Sequence, residues 1–429
     1  MTLSEREVPR HAVMLAREIL EDSPLLVVQG ARQVGKSTLL KQALSSKDAH
    51  FISLDDTLER SFAQLDPASF LAQQPEKTLV IDEAQRVPSL ALELKRTIDA
   101  DRRPGRFAVT GSSDLLRTPG VSDSLAGRAE FLRLYPFTPG EMIERAHPED
   151  WVAWILNGAE NVAGGASSQG FTSGETLRQI VVEGGYPVPA QRDGERRKAR
   201  WFDSYLSSLV QHDAAELGAG DFPEHLSALL RYLAAQGQSE LVKAKTARAL
   251  GVSETALTSY LSLAERMYLI DSTPGWGIGF TNRTVKRPKV AIADSGLACF
   301  LAGLTVDKAR AAGGAELFGA VLEGFVATQL RAQAAWSKER YTVHHFRERD
   351  REVDLLVELA DSRLVLIEVK AAVSVDERAW QNLDAVATRL GDRVAARVLC
   401  YTGSRAITLN RGDGPPLYVL PVATLWEHP

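Results

Sequence analysis

Gly30-Ala31-Arg32-Gln33-Val34-Gly35-Lys36-Ser37 follows the spacing G-x-x-x-x-G-K-S, directly after the apolar run Leu25-Leu26-Val27-Val28-Gln29 and at the head of a helical pattern. That spacing binds phosphate. The two glycines let the backbone turn tightly, successive N–H groups and a helix N-terminus face the anion, Lys36 adds a positive charge, and Ser37 offers a hydroxyl to Mg²⁺. Thr78-Leu79-Val80-Ile81-Asp82-Glu83 supplies the second half of such a site, an apolar strand ending in two carboxylates. Asp82 can hold the metal through water, and Glu83 can orient and deprotonate an attacking water. Together these residues predict a nucleoside-triphosphate site in which Gly30 through Ser37, Thr38 and Asp82 contact nucleotide and metal and Glu83 is catalytic.

A second constellation lies near the end of the chain. Arg351 to Leu359 reads as a strand, Ala360-Asp361-Ser362 as a turn, and Arg363 to Lys370 as the returning strand, so one hairpin carries Asp354, Glu368 and Lys370 in the order D…E-x-K. Alternation puts Glu368 and Lys370 on one face, with Val365, Ile367 and Val369 on the other. Two carboxylates can bind Mg²⁺ and a lysine can position or activate water for phosphodiester attack. The sequence offers no obvious cationic partners that would make these carboxylates structural. His344 and His345 are neighbours on a preceding strand pattern, so at most one of them can face this site.

The elements that must position the first site alternate regularly. A helix is expected from Val13 to Leu20, the strand Leu25–Gln29, a helix from Gly35 to Ala43, a strand over 50–54, the acidic strand over 78–82, a helix from Ser89 to Ala100, and a strand over 106–110 ending in Gly111-Ser112-Ser113. One strand thus intervenes between phosphate loop and acidic strand. From Gly158 to Gly174 the chain turns glycine- and serine-rich, which marks a linker and the end of the first domain. Beyond it, Trp201 to Asp213 has helical spacing, and helices over 224–235, 243–249 and Ser253 to Tyr268 form a three-helix pattern, with 275–290 as a candidate wing. Lys243, Lys245, Arg248, Lys286, Arg287 and Lys289 could supply phosphate contacts there, although the presumed recognition helix is not basic. The run Arg192, Arg196, Arg197, Lys198, Arg200 reads first as a solvated helix face.

At 429 residues two or three domains are expected. A net charge of −5 argues against whole-surface attraction to nucleic acid or anionic membrane and leaves room for a local basic groove. Cys299 and Cys400 lack metal-ligand spacing, which predicts reduced thiols in a cytoplasmic protein. No apolar run approaches the roughly 18 residues of a membrane span, so no membrane partner is expected.

Several segments carry a family likeness. Gly30 to Ser37, Ile81-Asp-Glu-Ala-Gln-Arg-Val-Pro88, Thr110-Gly-Ser-Ser113 and Ser124-Leu-Ala-Gly-Arg128 together resemble the prokaryotic AAA+ ATPases that carry a C-terminal domain of uncharacterised function. The resemblance implies ATP and Mg²⁺ as ligands, a γ-phosphate sensor at Ser112 or Ser113, and Arg128 as a γ-phosphate contact in its own chain or in a neighbour's site, hence a possible homo-oligomer. Gly184-Gly185-Tyr186-Pro187 and the helices after it resemble that family's helical, winged-helix-like part. The hairpin resembles the restriction-endonuclease-like, PD-(D/E)XK, superfamily, and this likeness adds Glu323, on a preceding helix, as a further acidic ligand beside Asp354, Glu368 and Lys370.

The expected fold class is therefore α/β: a P-loop AAA+ ATPase core over 1–158, a helical and winged-helix-like domain over 177–290, and a nuclease-like domain over 291–429. The expected function is Mg²⁺-dependent ATP hydrolysis coupled to a partner, with nucleic acid, DNA in particular, favoured over a second copy of the chain or another protein. An ATP-gated DNA nuclease and a regulatory or toxin-like interaction protein switched by ATP are the alternatives.

Overall fold

The structure is a computed structural model and describes residues 7–111, 125–159, 171–210, 222–277, 286–348, 351–409 and 414–428. The chain divides into two compact units. The first holds residues 1–137, 144–147 and 266–268, and the second holds 138–143, 148–265 and 269–429. The cut near residue 137 falls before the change in composition at 158, because the segment from Trp151 to Leu156 docks into the second unit: the Trp151 backbone N–H donates to Gln333 Oε1 (3.1 Å) and its indole N–H to Thr424 Oγ1 (3.0 Å).

In the first unit the described elements are α1 (Val13–Asp22), β1 (Leu25–Gln29), α2 (Lys36–Ala43), β2 (Ala49–Ser53), α3 (Thr57–Leu65), α4 (Pro67–Leu71), β3 (Thr78–Asp82), α5 (Leu90–Ala100), β4 (Phe107–Gly111) and β5 (Ala129–Arg133). The five strands form one parallel sheet in the order β2-β3-β4-β1-β5. β1 is buried along its whole length because both sheet faces are covered. Leu25, Val27, Leu79, Ile81, Phe107 and Val109 pack with Phe70, Leu71, Leu90, Leu94 and Ile98 of α4 and α5. Side chains of the opposite parity, among them Leu26, Val28 and Val80, are buried too, as are Ile19, Leu20, Leu39 and Leu40 of α1 and α2. At about 1.5–3 kcal/mol for each large side chain buried, this core holds the loops at the strand ends.

The strand expected between phosphate loop and acidic strand is present as β2. β2 intervenes in sequence but sits at the sheet edge, whereas β4, which follows both motifs, lies between β1 and β3. Its terminal residues therefore face the gap between Ser37 and Asp82.

In the second unit the helical segments Pro139–Met142 and Trp151–Leu156 precede helices α6 (Gly174–Glu183) and α7 (Glu195–Ser208). Gly184 and Gly296 touch so closely that a Cβ on Gly184 would lie 2.4 Å from the Gly296 nitrogen, and Tyr186 packs among Trp201, Phe202 and Tyr205. The Gly-Gly-Tyr segment is thus a packing device. Arg196, Arg197 and Arg200 lie exposed on α7 and Lys198 pairs with Glu183 (2.6 Å). Next come α8 (Phe222–Gln236), β6 (Ser239–Glu240), α9 (Lys243–Leu250), α10 (Glu254–Arg266), β7 (Ile270–Thr273) and β8 (Lys289–Ile292), the strands forming an antiparallel sheet in the order β6-β8-β7. Of the candidate wing, 278–285 lie outside the described residues.

After α11 (Ser295–Ala302) the order is α12 (Ala315–Gln333), β9 (Tyr341–Glu348), β10 (Arg351–Leu359), β11 (Leu364–Lys370), α13 (Gln381–Leu390), β12 (Val394–Tyr401), β13 (Ile407–Leu409) and β14 (Leu417–Pro421). The six strands make a mixed sheet, β13-β14-β12-β11-β10-β9, in which β9, β10 and β11 are antiparallel and β11, β12 and β14 parallel. Among the described residues no helix is long and apolar enough to cross a membrane.

Candidate functional site

The phosphate loop connects the C-terminal end of β1 to α2. Gly35 caps α2 with φ 93°, a left-handed conformation that costs glycine little. At Gly30 a Cβ would stand 2.3 Å from the Leu134 carbonyl oxygen, so only glycine fits against that neighbouring backbone. Lys36 is 5% exposed, and its ammonium donates to the carbonyls of Gly30 (3.1 Å) and Ala31 (3.0 Å), which holds the side chain back over its own loop.

The acidic strand meets this loop through hydroxyls. Ser37 Oγ donates to Asp82 Oδ1 at 2.7 Å, and Thr110 Oγ1 at the end of β4 donates to the same oxygen. Thr110 is fully buried and also accepts the backbone N–H of Glu83 at 3.1 Å. Glu83 has φ 57° and ψ 43°, a conformation rarely adopted by residues with a Cβ and found where surrounding structure imposes it, commonly at functional sites. Its Oε2 accepts a hydrogen bond from Gln85 Nε2. The donor set fits Mg²⁺ and a triphosphate: a hydroxyl and a carboxylate converge in front of a helix N-terminus, with a buried ammonium beside them.

Sequence reasoning missed Thr110, whose place depends on strand order, and Arg10. The Arg10 guanidinium donates to the carbonyls of Val34 and Tyr135, both at 2.7 Å, and stacks on Phe137 at 4.8 Å, so it braces the phosphate loop from behind. No local motif marks it. Ser112 and Ser113 lie outside the described residues.

Arg128 stands directly before β5, whose Ala129 pairs with Leu25, the first residue of β1. It is therefore at the sheet edge opposite the phosphate loop, about 15 Å away at a strand rise of 3.3 Å per residue. Both oxygens of Asp99 accept from it, each at 2.8 Å. In this structure the Arg128 side chain is thus engaged by Asp99.

In the second unit the structure brings Glu323, Asp354, Glu368 and Lys370 together. Continuing the register that pairs Leu355 with Ile367 sets Asp354 opposite Glu368, at a place where the pairing of β10 with β9 is irregular. Val369 N–H donates to Asp354 Oδ2 (2.9 Å), and Lys370 donates to Glu368 Oε1 (2.6 Å). Burial, together with the Asp354 charge, pushes Glu368 up to about 7 despite Lys370, and burial likewise raises Glu323 and Asp354. His344 and His345 point apart, His344 bonding Thr342 Oγ1 and His345 the Arg287 carbonyl.

One expectation about this cluster is corrected. A cationic partner does exist: Lys289, 3% exposed, lies 2.8 Å from Glu323 Oε1 and 2.9 Å from Glu352 Oε1, so it is no surface phosphate contact. Burial works to lower its pKa, but Glu323, Asp354 and Glu352 outweigh that and raise it. Among the described residues no group of three or more His, Cys, Asp or Glu is arranged to hold a metal ion. Lys286 is also engaged, donating to the Arg347 carbonyl (3.0 Å), whereas Lys243, Lys245 and Arg248 are exposed on α9. Burial raises both thiols, Cys400 to about 12, which leaves them inert.

A parallel sheet ordered β2-β3-β4-β1-β5, with the loop after β1 and paired acids after β3, defines the P-loop nucleoside-triphosphatase class. The family comparison narrows this: residues 22–143 match the AAA domain, and residues 174–308 and 318–425 match two domains of unknown function, DUF8612 and DUF4143. An AAA domain followed by two domains of unknown function is the arrangement that the sequence motifs resemble, that of prokaryotic AAA+ ATPases with a C-terminal domain of uncharacterised function. It is 28% identical over 353 residues to an uncharacterised protein of Mycobacterium tuberculosis, a match covering 82% of this chain and 71% of the relative, and to the same extent to one of Mycobacterium bovis. Similar solved structures include the Walker-type ATPase of Pyrococcus abyssi (17% identity, 70% of this chain and 99% of that one, TM-score 0.42) and a RuvB variant of Thermotoga maritima (18%, 64% and 94%, TM-score 0.29).

Proposed function

We propose that the chain binds ATP with Mg²⁺ at the phosphate loop, hydrolyses it, and passes the change to a partner, with nucleic acid the favoured class. The observation that carries this reading is the convergence of Ser37 and Thr110 on one oxygen of Asp82, beside the buried Lys36. Bound Mg²⁺ would neutralise charge developing on the phosphates. Ser37 and Asp82 hold and orient the metal's side of the site, Lys36 turns from the loop carbonyls to phosphate oxygens, and Glu83 takes a proton from the attacking water. Arg128 serves a neighbouring subunit's nucleotide.

The partner reading draws on the second unit. The order α8-β6-α9-α10-β7-β8 supports a winged-helix-like reading, and α9 offers exposed Lys243, Lys245 and Arg248 for phosphate contact. The order α12-β9-β10-β11-α13-β12 supports a restriction-endonuclease-like reading, which suits a nucleic-acid-facing scaffold. The test is the ATPase rate of the full chain with and without single- and double-stranded DNA. Stimulation of severalfold or more is expected, and a rate unmoved by any nucleic acid would turn the partner assignment to protein.

A further inference from the structure

Four carboxylates, Glu323 on α12, Glu352 and Asp354 on β10 and Glu368 on β11, crowd together in the second unit, and two ammonium groups answer them. Lys370 pairs with Glu368 at 2.6 Å. Lys289, the first residue of β8, reaches Glu323 Oε1 at 2.8 Å and Glu352 Oε1 at 2.9 Å, so one buried side chain ties its own strand to the helix α12 and to β10 of the six-stranded sheet. The backbone N–H of Val369 takes Asp354 Oδ2. A divalent cation binding Glu323 and Asp354 would sit at about 2.0–2.6 Å from their oxygens. It would then stand within a few ångströms of the buried Lys289 ammonium, where charge repulsion is only weakly screened.

We infer that Lys289 takes the place of the divalent cation in this carboxylate cluster, so that the nuclease-like domain is an ion-paired scaffold closed to Mg²⁺ and Mn²⁺. The inference rests on the nuclease-like reading only in taking a metal as the alternative occupant. The three carboxylates that such a fold would use are all retained, yet an internal ammonium, supplied by the preceding three-stranded sheet, already holds Glu323 and pairs with Glu352, two residues from Asp354 on the same strand. This explains how acids far apart in sequence remain together without a metal. It also makes the clasp a joint between the winged-helix-like elements and the C-terminal sheet.

Mn²⁺ binding to nucleotide-free, full-length protein tests it, read by electron paramagnetic resonance of free Mn²⁺. Wild type and Asp354→Asn should bind Mn²⁺ alike, because wild type has no site there to lose. Lys289→Met should gain one Mn²⁺ per chain, at least tenfold tighter than any wild-type binding at this cluster, and Lys289→Met/Asp354→Asn should lose it. The melting temperature of Lys289→Met should fall and be restored by Mn²⁺, while that of wild type should not respond. A wild-type site abolished by Asp354→Asn would overturn the inference, and this comparison decides even if Lys289→Met fails to fold. Folded Lys289→Met that gains no site would overturn it as well. ATP turnover measured on the same samples reports the phosphate-loop reading separately.

Discussion

Replacing Thr110 by valine removes one hydroxyl and almost no volume, which makes it a sensitive probe of the phosphate-loop site. In the native site that hydroxyl does two jobs: it donates to Asp82 Oδ1 and accepts Glu83 N–H at 3.1 Å, at a position with no solvent exposure. A hydrogen bond to a charged group contributes about 1.5–3 kcal/mol, and a buried N–H left unsatisfied costs about 1–3 kcal/mol. The two share one residue and do not simply add, so a loss of about 2–4 kcal/mol from the stability of the first unit is expected. Asp82 keeps Ser37 as its other hydroxyl donor but loses the contact that fixes its carboxylate plane, and Glu83 loses the contact that holds its left-handed backbone. Turnover should therefore fall about 10- to 100-fold, equivalent to about 1.4–2.8 kcal/mol of barrier, and more Mg²⁺ should be needed for half-maximal rate. Thr110→Ser, which retains the hydroxyl, should recover most of the turnover. The assay is steady-state ATP hydrolysis against Mg²⁺ concentration, paired with thermal melts. A Thr110→Val protein with turnover within twofold of wild type and an unchanged Mg²⁺ dependence would refute the bridging role.

Lys36→Ala should abolish tight ATP binding, since a charge-assisted contact of about 1.5–3 kcal/mol is lost at a multiply charged ligand; wild-type affinity by calorimetry would contradict this. Arg128→Ala should lower turnover with little loss of nucleotide affinity, and wild-type activity per chain should rise with protein concentration; undiminished, concentration-independent activity would exclude a role between subunits. Asp294, fully buried and raised by burial to about 6, accepts backbone N–H bonds from Gly185 and Leu297. Because its folded pKa lies above the unfolded value of 3.8, it should destabilise progressively as pH rises from about 4 to about 6, by at most about 3 kcal/mol. Asp294→Asn should be less stable at low pH but flatter across that window in melts, and an identical slope would show that another group sets it.

How much could be read from residues alone depended on whether the information was local. The phosphate loop, the acidic strand and the 351–370 hairpin are contiguous patterns, and their strand bounds fall within a residue of those expected. Thr110 belongs to the nucleotide site only because β4 is threaded between β1 and β3, and strand order is not written in any one segment. Arg10 reaches Val34 and Tyr135 across 24 and 125 residues. Lys289 was hidden for a different reason: in Lys286-Arg287-Pro288-Lys289 it reads as one of a basic group, and only pairing with Glu323, 34 residues on, reveals it as a core cation. The one available hint was that Lys289 opens the apolar run Val290-Ala291-Ile292-Ala293, where alternation would bury it.

The central claim is that Glu83 activates water at an ATP site whose binding residues are separate from it. It is tested most directly by measuring ATP binding and single-turnover hydrolysis side by side on wild type and Glu83→Gln in Mg²⁺. Wild type should convert bound ATP to ADP and phosphate and stop when the metal is chelated, while Glu83→Gln should bind ATP with near wild-type affinity and hydrolyse it at least 100-fold more slowly. Equal hydrolysis by the two proteins, or wild type that binds ATP in Mg²⁺ and never cleaves it with or without nucleic acid, would contradict the account.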